Sequence, residues 1–466
     1  MDPLSIAAAA REAPDRVALI ADGRRWSFGE LAEQVAFARG GLARHRIGRG
    51  GRVALRATNR FETVVTVLAL IEDGVPFVPL HPRLTPSESA ALVADSEAAA
   101  VLSDDDLRTL LNSGRATAPS RTPLEGELLA MLYTSGTTGK AKGALLQRSA
   151  FIAAAHASEQ NLGWGEDDRW LLCMPVCHVG GLSILTRCLM ARRCVVLLPK
   201  FDSQAVLESI QSHGVTMLSV VPTMLVALLD ADRDNVLARL RVVLVGGAAA
   251  PFPLLEESAR RGIPALTTYG LTEACSQVTV QRLRRPPAAA QGSGIALPGT
   301  EVSILDDAGR TAPAGEVGRI HVRGPTLMQG YWKQPPLLGS FDTGDLGSLD
   351  SEGCLHVAAR RTDLIVTGGE NVYPAEVEQV LLAAPGVKEA LVFGTSDDRW
   401  GQVVSAAIVL APSGDAAAVR RCVEAQLASH KRPRLVCFVE ALPVTAGGKP
   451  DRLAAGGRFR GVLEAW

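Results

Sequence analysis

The stretch YTSGTTGKAKG, Tyr133–Gly143, sets three glycines, four serine or threonine hydroxyls and two lysines directly after an apolar run. Glycines let successive backbone N–H groups converge on an anion, hydroxyls add donors, and Lys140 or Lys142 adds positive charge. That is the chemistry of a phosphate cradle. It is not a Walker A loop, because GxxxxGK followed by Ser or Thr spaces its glycines more widely than Gly136 and Gly139, and here Ala141 follows Lys140. Taken alone, the loop also reads as a solvated Gly/Thr turn between a strand and the next segment.

The remaining chemistry-bearing residues are ambiguous one at a time. Glu273 follows Thr272 where a carboxylate also suits the first turn of a helix. Asp345 lies among glycines in FDTGDLG, the setting of an ordinary turn former. CMPVCH, Cys173–His178, loosely has the spacing of a metal knuckle, but no second ligand pair follows at a suitable distance. The eight cysteines of this 466-residue chain therefore read as reduced, mostly buried thiols rather than a zinc site or a disulfide framework.

The elements that must position these residues alternate. RVALI, RVALRA, VPFVPL and AAVLS read as short buried strands, while SFGELAEQVAFARGGLARH and FETVVTVLALIEDG carry helical spacing. RCVVLLP, VTMLSVVP and LRVVLVGG repeat the theme, with FDSQAVLESIQSHG and TMLVALLDA as intervening helices. Such alternation predicts α/β architecture with mostly parallel sheets covered by helices, reaching to about Gly270. From Gly294 the texture turns β-rich and antiparallel, with a hairpin turn at Asp307 to Gly309 and alternation in GRIHVRG. Past Arg361 it returns to α/β. The expected organisation is a large N-terminal domain, 1–360, of two α/β subdomains plus a β-rich subdomain at about 294–360, and a small mobile α+β C-terminal domain, 361–466.

Charge and hydropathy exclude several functions. With 48 basic against 49 acidic residues and no run of like charges, nothing tracks a nucleic-acid backbone. MDPLSIAAAAREAPDR has no basic leader and its apolar run is broken by Arg11 and Glu12, so no signal peptide is indicated. The longest apolar stretch is interrupted by Glu72, Asp73, Gly74, Pro76 and Pro79, which does not suit a bilayer span. A soluble cytoplasmic protein is expected, without membrane insertion, and a homodimer is left open.

The order of the motifs resolves the ambiguity. YTSGTTGKAKG, TYGLTEA (Thr267 to Ala274), FDTGDLG (Phe341 to Gly347), RRTDLIVTGGENVYPAEVE (Arg360 to Glu378) and LPVTAGGKPDR (Leu442 to Arg452) together resemble the adenylate-forming superfamily of acyl-CoA synthetases, peptide-synthetase adenylation domains and luciferases. RRWSFGELAEQ and GVPFVPLHPRL add to the likeness, which covers essentially the whole chain. The resemblance implies adenylation of a carboxylate by ATP with Mg2+, followed by thioester formation with CoA.

It also implies site residues. Thr134, Ser135, Gly136, Thr137, Thr138, Gly139 and Lys142 would cradle phosphates; Gly247 and Ala248 of VGGAAA, with Thr268, Gly270 and Thr272, would line the nucleotide. Tyr269 would stack on adenine, Asp345 would accept the ribose hydroxyls, and Arg360 would add a cationic contact. Glu273 would hold the metal, and Lys449 would stabilise charge on the α-phosphate. Arg361, Thr362 and Asp363 would form the hinge about which the small domain rotates, carrying Gly368, Gly369 and Glu370 to the CoA tunnel. Ala141, Ala359 and Thr362 depart from the superfamily's usual proline, glycine and aspartate, which leaves the hinge residue open.

For the acid, MPVCHVGGLSILTRC (Met174 to Cys188) and YGLTEACSQ (Tyr269 to Gln277) are similar to segments of the o-succinylbenzoate-CoA ligases of menaquinone synthesis, and Gln147 points the same way. That likeness implies an acyl pocket bordered by His178, Gly181, Ser183, Arg187, Ser276 and Gln277, with His178 also gating the CoA tunnel. An unpaired guanidinium within LSILTRCLM would be costly, so Arg187 should meet an anionic or carbonyl partner or reach solvent along its stem. A substrate carboxylate and a structural ion pair both satisfy it, and Ser276–Gln277 also reads as an ordinary surface pair. Two other functions stay open: an acyl-CoA synthetase for another aromatic or medium-chain acid, and a non-catalytic nucleotide-binding relative.

Overall fold

The computed structural model describes residues 2–48, 50–112, 114–116, 122–134, 141–360, 363–367, 370–397, 400–427, 429–445 and 450–466. The strand-like runs fold as strands and group into four sheets among the described residues. In the five-stranded sheet, Ala98–Leu102, Arg52–Arg56, Phe77–Leu80 and Leu128–Thr134 run parallel, and Lys142–Gln147 closes the edge antiparallel to Leu128–Thr134. The nine-stranded sheet has a parallel centre of Val17–Ala21, Cys194–Leu197, Arg169–Leu172, Met217–Val220, Val242–Val245 and Ala265–Leu271.

The prediction of mostly parallel sheets holds for these two, with the antiparallel strands confined to the rims. Ser276–Val280 and Ile295–Ala296 return antiparallel on one edge of the nine-stranded sheet, and Arg24–Ser27 on the other. Connections of a few residues cannot make a parallel crossover, so tight links such as Asp22–Gly23 force hairpins. Both residues of that link take positive φ.

The helices start where the residue types favour it. Ser27, Thr85 and Ser103 each cap a helix in a reciprocal box with Glu30, Glu88 and Asp106 respectively. Phe61–Asp73 ends at Gly74 in the left-handed region, and all but its first two and last residues are buried. A four-stranded antiparallel sheet, Glu301–Leu305, Gly318–Arg323, Phe341–Leu349 and Leu355–Arg360, follows. A further sheet is built on the long pair Val387–Asp397 and Gly401–Leu410, covered by Pro374–Ala383 and Ala416–Gln426 around its own core of Val377, Leu381, Val404, Ile408 and Val419. The large N-terminal and small C-terminal parts thus have separate cores, in an α/β fold with a β-rich region between them.

No described helix is long and apolar enough to cross a membrane. All eight cysteines are free, six of them buried. Burial pushes the Cys173, Cys177, Cys194 and Cys275 thiols up to about 12, which keeps them protonated and inert.

Candidate active site

Parallel strands deliver their loops to one edge, and ligands of α/β sheets bind outside those carboxyl ends. Leu128–Thr134 runs out into the glycine-rich loop, Val242–Val245 into Gly246 and Gly247, and Ala265–Leu271 into Glu273. Arg169–Leu172 runs out toward His178. Strand direction therefore gathers motifs that lie far apart in the chain.

Of the phosphate loop, Thr134 and Lys142 are described, facing each other across the antiparallel pair that opens and closes it. Ser135, Gly136, Thr137, Thr138 and Gly139 lie outside the described residues, as do Arg361, Thr362, Gly368, Gly369 and Lys449. The side chains of Arg360 and Glu370 are likewise not described, but the backbone register sets Arg360 directly opposite Asp345. Asp363 lies 3.4 Å from Arg452, which also clasps the half-buried Glu378 at 2.7 Å.

The nucleotide side is built by close backbone approach. A Cβ on Gly246 would stand 2.7 Å from Thr268 Cγ2, and one on Gly270 would stand 1.8 Å from the Ser276 carbonyl oxygen. Gly247 takes φ +79°, and both it and Ala248 are exposed, presenting backbone rather than side chain. Thr268 donates to the Thr279 carbonyl at 2.8 Å, tying the strand of Tyr269 to its neighbour. The Tyr269 hydroxyl donates to Asp345 Oδ2 at 2.7 Å, so the residue suited to adenine and the residue suited to ribose stand side by side.

Glu273 is not in the first turn of an α-helix, the alternative left open by the sequence. Thr272–Ala274 is a single 3-10 turn ended by Cys275 and Ser276, both at positive φ, of 53° and 97°. The helix stops because the chain must turn back into Ser276–Val280. Glu273 Oε1 accepts from the Tyr331 hydroxyl at 2.6 Å, and among the described residues the carboxylate has no other partner. A half-buried carboxylate with lone pairs to spare fits a hard cation such as Mg2+.

On the acyl side, His178 caps the helix Val179–Ala191 and is exposed. Buried Asn59 fixes the approach to it, donating to the Met174 and Leu198 carbonyls at 2.9 and 3.2 Å and accepting from Val176 N–H at 3.1 Å. Gly181 is required by packing, since a Cβ there would stand 2.4 Å from the Pro175 carbonyl oxygen. Ser183 and Arg187, one turn apart, face the strand Ser276–Val280, with the Ser183 and Ser276 hydroxyl oxygens 3.5 Å apart.

Of the two partners the sequence left open for Arg187, the structural ion pair is absent among the described residues. Arg187 is 3% exposed, and its Nε and Nη2 have no hydrogen-bond partner; the nearest compensation is the Trp170 ring, 5.6 Å from the guanidinium carbon. Burial draws its pKa down to about 10, with the neighbouring Cys275 and Cys188 opposing weakly. Gln277 is not a surface residue either, being 5% exposed with both amide atoms unpartnered. A buried polar group costs about 1–3 kcal/mol where it meets no partner.

Two participants escaped the sequence reading. His81 follows the strand Phe77–Leu80, and its ring lies 5.4 Å from that of His178. Its Nδ1 accepts from the Arg83 backbone N–H at 3.1 Å, so a neutral ring carries its hydrogen on Nε2, buried without an acceptor. His81, Cys177 and His178 bring ligand-type atoms within 4.8 Å of one another, but that tautomer makes His81 a donor rather than a metal ligand. Tyr331 is the second, and no motif in the sequence signals it.

An edge of two α/β sheets that gathers the two arms of a glycine-rich loop, the Tyr269–Asp345 contact and the half-buried Glu273 carboxylate suits an enzyme that works on a nucleotide. The AMP-binding enzyme family matches residues 6–332, and the AMP-binding enzyme C-terminal domain matches residues 376–449. The chain belongs to this family. It is 37% identical over 455 residues to a 2-succinylbenzoate–CoA ligase of Bacillus cereus, covering 94% of each chain. The o-succinylbenzoate CoA synthetase of Bacillus subtilis, solved with its acyl-adenylate intermediate, superposes with a TM-score of 0.89 at 34% identity over 97% of both chains. The same synthetase solved with ATP and magnesium ion gives 0.87 at 35%, over 96% of this chain and 98% of that one. ATP-bound MatB from Rhodopseudomonas palustris gives 0.91 at 28%, over 99% of both.

Proposed function

We propose that this protein is a 2-succinylbenzoate–CoA ligase, converting the acid, ATP and CoA to the aryl thioester, AMP and pyrophosphate. The observation that supports the substrate is that Arg187 and Gln277, on the helix and strand that meet at Ser183 and Ser276, are both buried with side-chain polar atoms left unpartnered. 2-Succinylbenzoate has two carboxylates and a ketone on one aromatic ring, so one carboxylate reacts and the other needs donors. Arg187 Nε and Nη2 with Gln277 Nε2 supply them. Gln277 Oε1 needs a donor in turn, which neither a carboxylate nor a ketone provides; Arg187 or an ordered water fills that role.

The first half-reaction is attack of the reacting carboxylate on the α-phosphate. The glycine-rich loop from Thr134 to Lys142 holds the departing phosphates, Tyr269 covers adenine, Asp345 exchanges the Tyr269 hydroxyl for ribose hydroxyls, and Lys449 meets the charge that develops on the phosphoryl oxygens. Glu273 would hold Mg2+, which when bound neutralises the departing pyrophosphate. In the second half-reaction the small domain, starting near residue 361, turns about its hinge and brings the 368–370 loop to the CoA tunnel, gated by His178. A cytoplasmic location fits a pathway fed by ATP and CoA.

Pyrophosphate release measured over a panel of acids tests the assignment. Turnover of 2-succinylbenzoate well above benzoate and medium-chain monocarboxylates is expected. Good turnover of a monocarboxylate with none of the dicarboxylate would refute the substrate, and no release with any acid would indicate a non-catalytic nucleotide-binding protein.

A further inference from the structure

Tyr331 joins three motifs that the chain keeps far apart. Its hydroxyl donates to Glu273 Oε1 at 2.6 Å, and the Lys142 ammonium sits 5.2 Å from its ring centroid. On its other side the ring meets Phe341 edge-on at 6.4 Å, at the start of the strand that carries Asp345.

The backbone locks the residue there. Segment 328–332 lies along the second arm of the phosphate loop: Leu145 N–H donates to Gly330 at 3.0 Å, Gln329 N–H to Leu145 at 2.8 Å and Trp332 N–H to Gly143 at 2.8 Å. Met328 N–H donates to the Glu273 carbonyl at 2.8 Å, so the same segment grips Glu273 by backbone and by side chain. Beyond it, the Trp332 indole donates to the Asp95 carbonyl at 2.8 Å and stacks under Arg52, which anchors the segment to the five-stranded sheet.

We infer that Tyr331 is a positioning residue for the metal-bound nucleotide: it orients the Glu273 carboxylate toward the cation and couples that carboxylate to the phosphate loop through Lys142. This rests on the reading of Glu273 as the Mg2+ ligand. A carboxylate turns freely about its terminal bond unless one oxygen is held. The Tyr331 bond occupies Oε1 in a fixed direction and leaves Oε2 for the cation, the role that outer hydrogen bonds play at metal sites generally. Lys142 on the ring face gives loop and carboxylate a common support.

The test compares the full chain with Tyr331→Phe and Glu273→Gln by calorimetry, using the non-cleavable α,β-methylene analogue of ATP with and without Mg2+. The quantity read is the factor by which Mg2+ tightens analogue binding. Tyr331→Phe keeps the ring, and with it the Lys142 and Phe341 contacts, so affinity without metal should stay within about twofold of the parent. The Mg2+ factor should fall about tenfold, the lower end of what outer partners of a metal ligand contribute. Glu273→Gln should lower it at least as much. An unchanged factor in Tyr331→Phe alongside a lowered one in Glu273→Gln overturns the role of Tyr331 alone. An unchanged factor in Glu273→Gln overturns the metal reading and this inference with it. Equal loss of affinity with and without Mg2+ in Tyr331→Phe would make the residue structural, which also overturns it.

Discussion

Arg187→Met separates the cost of a buried charge from its use. In the folded chain without ligand the guanidinium is 3% exposed with Nε and Nη2 unpartnered, and burial holds its pKa at about 10. The unfolded chain keeps its proton more tightly, so the penalty is present in full at neutral pH and is relieved only as pH rises through about 10. At about 1.4 kcal/mol per pH unit, this depression below the ordinary arginine range is a penalty of about 3 kcal/mol. Methionine keeps an unbranched apolar stem and removes the charge. The first thermal transition of the unliganded variant should therefore rise, by about 1–3 kcal/mol of added stability, as when buried charges give way to apolar side chains. With 2-succinylbenzoate the sign reverses. Two charge-assisted hydrogen bonds of about 1.5–3 kcal/mol each are lost, about 3–6 kcal/mol together, so KM should rise at least roughly a hundredfold. The turnover number should change little, because the contact is present in ground and transition states alike. Steady-state pyrophosphate release and melting with and without the acid measure both effects. A KM within threefold of the parent, together with a lowered melting transition, would refute the reasoning by making Arg187 a structural residue.

Lys449→Ala should abolish adenylate formation while leaving calorimetric ATP affinity within a few-fold; adenylate formation at the parental rate would remove Lys449 from the chemistry. Gly270→Ala should raise the KM for both ATP and the acid, since a Cβ 1.8 Å from the Ser276 carbonyl must displace the strand that carries Gln277. The strain is worth about 1–3 kcal/mol, and unchanged kinetics would mean that the turn yields without cost. Desolvation, then Arg83, hold the His81 pKa below its usual value, so the folded state resists a proton that the unfolded chain accepts. Stability should then fall as pH drops below about 6.5, and His81→Gln should flatten that fall in urea midpoints taken at neutral and mildly acidic pH. Identical pH slopes in both proteins would count against it.

Much of the fold was legible because local rules decide it. Buried β-branched runs such as VVLV and capping boxes such as Ser27 with Glu30 need no distant partner to declare themselves. The antiparallel rims were not legible, because turn length and edge position, rather than strand composition, set direction there. For the site, the chain order of five motifs carried the resemblance, while single residues stayed ambiguous: Gln277, readable as a surface residue or a pocket one, is buried, and Arg187, readable as a substrate contact or an ion-pair member, has no ion pair among the described residues.

Residue type and motif order by themselves carried the resemblance to adenylate-forming enzymes, and it was that resemblance which implied a carboxylate activated on a nucleotide. Tertiary structure alone decided what stands beside what. Parallel strands gathered the motifs at one edge, and the turn at Cys275–Ser276 folded Gln277 in beside the helix of Arg187. Packing of segment 328–332 brought the Tyr331 hydroxyl to Glu273, 58 residues away. Burial, hydrogen-bond satisfaction and tautomer depend on neighbours that folding supplies from elsewhere in the chain, and a string of residue types does not contain them.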